Sequence, residues 1–185
     1  MKQYDYRFDK NLLRSFVGKT FNRFVHPQFI YTKTATMYIG FMIDNVSYCI
    51  ENDYESLDYF GWDNEATVTR LYEKPWQDIV EMWKDKASIT EVQETIESIT
   101  VINDHYSSFS NDVQNYDYWE TRAIIFHFKD HEVAFTKSDC WFSMEIEISK
   151  GHDLLKYIPD GKFILDDFTQ SKKQTISTER EIYTI

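Results

Sequence analysis

Residues 35–51 constrain the fold of this chain more than any other stretch. Ala35, Met37, Ile39, Phe41 and Ile43 alternate with Thr36, Tyr38, Gly40 and Met42, the period of two that belongs to a β-strand. Asp44-Asn45 follows, and both residue types tolerate the positive φ of a tight hairpin turn. A two-residue turn there sets Ile43 against Val46, Phe41 against Tyr48 and Ile39 against Ile50, all on one apolar face. A slip of one residue pairs Ile43 with Ser47 and scrambles that face, so turn chemistry and apolar pattern point to one register.

A second hairpin is read the same way. Glu120–Lys129 and Glu132–Lys137 flank Asp130-His131. A two-residue turn sets Phe128 opposite Val133, Phe126 opposite Phe135, and Lys129 opposite Glu132 as a cross-strand charge pair. Phe142, Met144, Ile146 and Ile148 then alternate with Ser143, Glu145, Glu147 and Ser149, a strand with one buried and one wet face. Strands are also expected at 19–26, at 57–61 and 66–73 around a Trp62-Asp63-Asn64 turn, at 99–103, at 163–168 after an Asp160-Gly161 turn, and at an edge carrying Ile176, Ile182 and Ile185.

Helical spacing appears twice. Phe8, Leu12, Leu13 and Phe16 share one helix face, with Asp9 at the N-terminus and Gly18 as the stop. Trp76, Ile79, Val80 and Trp83 share another, behind Pro75 at a first helical position. Ser88-Ile89-Thr90-Glu91 has capping-box spacing for a short helix, although Val92-x-Glu94-x-Ile96 also fits a strand. Asp153–Tyr157 fits a helical turn, and residues 104–119, polar and aromatic without a period, read as a long loop.

These elements predict an α+β, mainly antiparallel β domain. Its sheet is expected to be curved or barrel-like, with two or three short helices at one end. At 185 residues, with no repeat or linker, residues 1–185 form one domain. The 42% hydrophobic and 17% aromatic content supplies a core. The N-terminus lacks the apolar run of a signal peptide, and no stretch approaches the ~20 apolar residues that span a bilayer. A cytoplasmic location is the expectation.

Several chemical signatures fail on context. Gly18-Lys19-Thr20 ends like a phosphate loop, but Leu13 stands where that motif needs glycine, and the order is helix then strand. His127 and His131 are four apart but not on a helix, and no third ligand stands at a metal-binding spacing, so no metal site is expected unless folding brings in His26, His105 or His152. Cys49 and Cys140 form no CxxC and read as free thiols. Glu145 and Glu147 share a strand face, as do many solubilising pairs. No nucleophile elbow occurs. No catalytic residue, cofactor or metal is therefore expected.

Charge and aromatics point to a partner. The net charge of −11 disfavours nucleic acid and anionic membrane. It is concentrated in residues 44–120, which hold four Lys/Arg against eighteen Asp/Glu, whereas residues 1–34 hold seven against two. The acidic stretch contains both aromatic clusters. Tyr54, Asp58, Tyr59, Trp62 and Asp63 belong to one, and Tyr116, Asp117, Tyr118 and Trp119 to the other. Tyr and Trp dominate interface hot spots, and carboxylates around them attract a basic protein. The expectation is a non-enzymatic interaction module, immunity- or antitoxin-like, for a basic partner. The alternatives are a small-molecule-binding barrel or sandwich with Tyr38, Tyr48 and Trp141 at its mouth, and an enzyme whose site assembles from distant residues.

Overall fold

A computed structural model describes residues 1–28, 33–59, 62–138, 140, 142–159 and 174–185, with backbone alone at 58–59, 62–64 and 174. The strands are β1 (Lys2–Tyr6), β2 (Thr20–Pro27), β3 (Thr34–Thr36), β4 (Tyr38–Ile43), β5 (Val46–Tyr59), β6 (Trp62–Glu73), β7 (Ala87–Thr95), β8 (Ser98–Ser110), β9 (Val113–His127), β10 (Glu132–Lys137), β11 (Glu145–Gly151) and β12 (Gln174–Thr184). Helix α1 spans Lys10–Arg14 and α2 spans Trp76–Trp83. Short 3-10 turns stand at Lys84–Lys86 and Leu154–Tyr157.

The strands form two sheets, not a barrel. One runs β12-β8-β9-β10-β11-β3, with β1 beside β9. The other runs β6-β5-β4-β2-β7. Their inner faces meet in a ring-rich core: Phe21 lies 5.0 Å from Phe126 and Phe24 5.8 Å from Phe135, between ring centroids. The barrel-like closure is thus replaced by two stacked sheets, as in sandwiches. The mainly antiparallel β character stands, with one exception among the described strands. β1 runs parallel to β9, pairing Lys2–Tyr6 with Tyr116–Glu120.

The first hairpin has the expected register, Ile43↔Val46, Phe41↔Tyr48 and Ile39↔Ile50. Asp44 and Asn45 both take positive φ, 47° and 65°. The alternation breaks at Met37, whose φ of 73° sends β3 to the other sheet against β11. In α1, Asp9 caps the helix by accepting from the Asn11 and Leu12 amides, and Gly18 turns the chain at φ 82°. Helix α2 lies on the outer face of its sheet, with Ile79 over Gly40.

Several expectations are corrected. The second hairpin pairs Phe126 with Val133 and Ile124 with Phe135, so its loop is Phe128–His131, not Asp130-His131 alone. Both registers keep Phe126 and Val133 on the core face, so the apolar pattern could not separate them. Glu132 consequently faces His127 rather than Lys129. Residues 87–95 are a strand, because alternation overrides the capping-box spacing. Trp62-Asp63-Asn64 opens β6 rather than forming a turn, since Tyr59 pairs with Trp62. Residues 104–119 are no loop. They complete the β8–β9 hairpin around Asn111-Asp112, both at positive φ. The expected turn at Asp160-Gly161 and strand at 163–168 lie outside the described residues. Residues 174–184 do form the edge strand, against β8.

No helix among the described residues is long and apolar enough to cross a membrane.

Candidate functional site

β9 carries one residue more than β8 at its centre. Ile102 pairs with Ala123 and Asn103 with Thr121, leaving Arg122 as the extra residue of a bulge. A bulge re-aims side chains, and here it turns Arg122 into a buried polar layer. Arg122 Nε donates to Asp104 Oδ2 at 3.0 Å, and Nη2 donates to Glu120 Oε1 and the Tyr106 hydroxyl, each at 2.7 Å. Its Nη1 donates to the Ser138 carbonyl. Lys137 Nζ, at the end of β10, donates to Glu120 Oε2 at 2.5 Å and to the Thr67 carbonyl of β6 at 2.7 Å. Arg180 of β12 forks onto Asp104. Three cations therefore meet two carboxylates.

Burial dominates this layer. Arg122 and Glu120 are each 1% exposed, and Asp104 and Lys137 each 3%. Burial pulls the Lys137 pKa down against the attraction of Glu120. It also opposes the Arg122 charge, but Glu120, Tyr106 and Asp104 outweigh it and raise that pKa. Burial drives the Tyr118 and Tyr106 hydroxyls up. The carboxylates spend their oxygens on internal donors. Arg122, Glu120, Asp104 and Lys137 are shut off from solvent and bonded to one another, so what they supply is cohesion.

The layer divides two apolar cores. The larger holds Phe21, Phe41, Ile50, Val101 and Phe126. The smaller holds Leu57, Ala66, Val68, Tyr106, Tyr116 and Tyr118. Val68 and Ala66 stand at alternate ladder positions to Leu71, which packs on the larger core, so β5–β6 uses one face near its base and the other farther out.

The two aromatic–acidic clusters separate accordingly. Tyr116 and Tyr118 are 2% and 0% exposed and belong to the smaller core, so neither ring offers a surface to a partner. Asp117 sits 2.5 Å from His105 Nε2. Trp119 stacks on His105 at 4.1 Å with 9° between planes, and the Arg7 guanidinium lies 4.5 Å from its ring centroid. Arg7 is itself forked onto Asp5. This surface adjoins a groove of about 560 Å³ lined by residues including Arg7, Lys10, Asn103, Glu181 and Tyr183.

Tyr54 is different. It is 44% exposed, and its hydroxyl donates to the Phe142 carbonyl at 2.8 Å. Asn52 and Thr67 donate to the Ser143 carbonyl beside it. Side chains of β5 and β6 thus hold the β10–β11 loop by its backbone, and Phe142 stays 43% exposed. Glu65, on the neighbouring strand, pairs with Ser56 two positions beyond Tyr54 and so shares its face. Asp58 pairs with Asp63 and Tyr59 with Trp62 farther along this ladder. The side chains of these four lie outside the described residues.

The remaining candidates are accounted for locally. His127 links Glu132 Oε1 at 3.1 Å to the Thr100 hydroxyl at 2.7 Å, but Thr100 is buried and bonded again to Thr184. His127, His131 and His152 line a hollow of about 370 Å³. Among the described residues no group of three or more His, Cys, Asp or Glu is placed to hold a metal ion. Burial under α2 pushes the Cys49 thiol up to about 12, while Cys140 is exposed. Glu145 and Glu147 face solvent. Tyr48 is core, and the Tyr38 ring lies 4.6 Å from that of Trp83, so neither lines a mouth between the sheets; Trp141 lies outside the described residues.

Sequence reasoning missed Asp104, Arg122, Lys137 and Arg180, because the bulge at Arg122 leaves no periodic trace and the others join the layer only through strands distant in the chain. Comparison with protein families, with curated proteins and with solved structures finds no match to this chain.

Proposed function

We propose that this chain is a protein-interaction module that receives a basic partner on the outer part of its β5–β6 hairpin. What carries the reading is Tyr54, an exposed ring held in place by its bond to the Phe142 carbonyl. A fixed aromatic side chain loses little freedom on binding and makes an efficient anchor. Charge supports it as well. Residues 46–73 hold seven Asp/Glu against a single Arg70, and Arg70 is already bound to Glu55. Such a surface speeds the arrival of a cationic partner and selects against anionic ones. A neutraliser of a basic effector, as an immunity protein or antitoxin is, fits this chemistry.

The test compares wild type with Tyr54→Ala as immobilised baits at about 50 and about 300 mM salt, a range over which exposed charge attraction is strongly screened. A basic protein retained by wild type, lost by the variant and released by salt is the expected result. Retention that is indifferent to both salt and Tyr54 overturns the reading.

A further inference from the structure

The groove of about 560 Å³ beside Arg7 is lined by charges of both signs, and two of them, Lys10 and Glu181, lack an ionic partner among the described residues. Its size suits a small ligand. Both sides are held in place. Arg7 is forked onto Asp5 through Nε and Nη2 and lies 4.5 Å from the Trp119 ring centroid, while its Nη1 has no acceptor among the described residues. Lys10 Nζ, at the start of α1, lies 4.1 Å from the Tyr183 ring centroid. On the other side, the buried Asn103 accepts from the Thr121 hydroxyl and donates from Nδ2 to Glu181 Oε2 at 2.9 Å. Glu181 Oε1 receives no donor among the described residues.

The two sides act on each other without touching. The fork to Asp5 raises the Arg7 pKa, burial opposes it, and the charges of Asp5 and Glu181 add to the rise. A simple anion drawn to Lys10 meets the Glu181 charge, and a simple cation drawn to Glu181 meets Lys10 and Arg7. A molecule that carries both charges close together satisfies each side, and groups already fixed in place lower the cost of binding it. We infer that this groove binds a small zwitterion of the free α-amino acid type, with its carboxylate on Lys10 and Arg7 and its ammonium on Glu181. The β5–β6 surface proposed above takes no part in this site, so the two readings stand or fall separately.

The experiment titrates the full chain calorimetrically with the free protein amino acids, one at a time, at low salt. For the tightest of them, the amine lacking the carboxylate and the acid lacking the ammonium are titrated next. The expected result is measurable binding of at least one amino acid, weakened about tenfold for either analogue, the size of one lost charge-assisted hydrogen bond. Lys10→Met and Glu181→Gln, both at exposed positions, should each weaken binding by a similar factor. Glu145→Gln, a charge lost elsewhere on the surface, should not. Binding of no amino acid overturns the inference. An analogue that binds as tightly as the amino acid shows that one charge suffices, and overturns it too. Binding that survives both Lys10→Met and Glu181→Gln places the ligand elsewhere and also overturns it. Melting temperatures confirm that each variant keeps the fold, and the analogue comparison needs no variant at all.

Discussion

Arg180 grips Asp104 at both carboxylate oxygens, 2.6 Å from Nε and 2.8 Å from Nη2. That fork joins the C-terminal edge strand to the buried layer, because Asp104 also receives Arg122. One carboxylate therefore neutralises two cations from different strands.

Asp104→Asn should be among the most damaging single changes. It leaves Arg122 buried without its charge partner on that side, and breaking such pairs costs about 3–5 kcal/mol. Arg180→Ala should cost less, since the Arg180 side chain is 20% exposed and water can replace part of its role. Urea unfolding of the two variants checks the order; a loss below about 1 kcal/mol for Asp104→Asn contradicts the assignment.

Gly40 is a packing glycine. A Cβ there runs into Ile79 Cγ2, so Gly40→Ala forces α2 to shift against its sheet. Overpacking of this kind costs about 1–3 kcal/mol. Adding Ile79→Ala should recover part of the loss, whereas independent sites would simply add. A double variant whose stability equals the sum of the two single losses would count against the contact.

The two cysteines should differ in reactivity. Cys140 is exposed, while Cys49 is buried with its thiol pushed up to about 12. Iodoacetamide at pH 8 should alkylate Cys140 alone in the native protein, and both cysteines in denaturant. Mass spectrometry of the peptides reads this directly, and native labelling of Cys49 would refute it.

His26 gives a pH dependence of known sign. Burial lowers its pKa from the usual value near 6.5, against a bond to the Pro27 carbonyl that raises it. The fold thus prefers the neutral ring. Above about 6.5 both folded and unfolded chains carry it neutral, and no penalty arises. As pH falls through that value the unfolded chain takes up the proton first, and stability is lost until the folded pKa is passed. Between pH 7.5 and 5.5 the melting temperature of wild type should fall more than that of His26→Gln. A parallel fall would remove His26 from the account.

The legibility of the fold follows from where hydrophobicity and turn chemistry coincide. Phe41 and Tyr48 could be paired from the chain alone because Asp44-Asn45 and the apolar alternation demand one register. Asn111-Asp112 is the same type of turn, at φ 51° and 64°, and was the available signal for the β8–β9 hairpin. The hairpin is nevertheless hidden in the chain, because the inward residues there are Asp104, Tyr106, Tyr116, Tyr118 and Glu120, and polar inward residues erase the apolar pattern. The same tyrosines read as a binding cluster for that reason. Tyr54 was legible as a candidate, but the difference between its exposure and the burial of Tyr118 is set by neighbouring strands, which the local sequence does not encode.

The polar layer between the two cores has a consequence for how the molecule comes apart. Apolar packing does not run continuously from Phe126 to Tyr118; it is interrupted by Arg122, Glu120 and Lys137. The outer ends of β5–β6 and β8–β9 can therefore behave as a separate cooperative unit that opens before the base of the sandwich. Amide exchange would then fall into tiers, with Tyr116 and Tyr118 releasing their protons ahead of Ile124 and Phe126, so the part that carries Tyr54 is also the part that yields first.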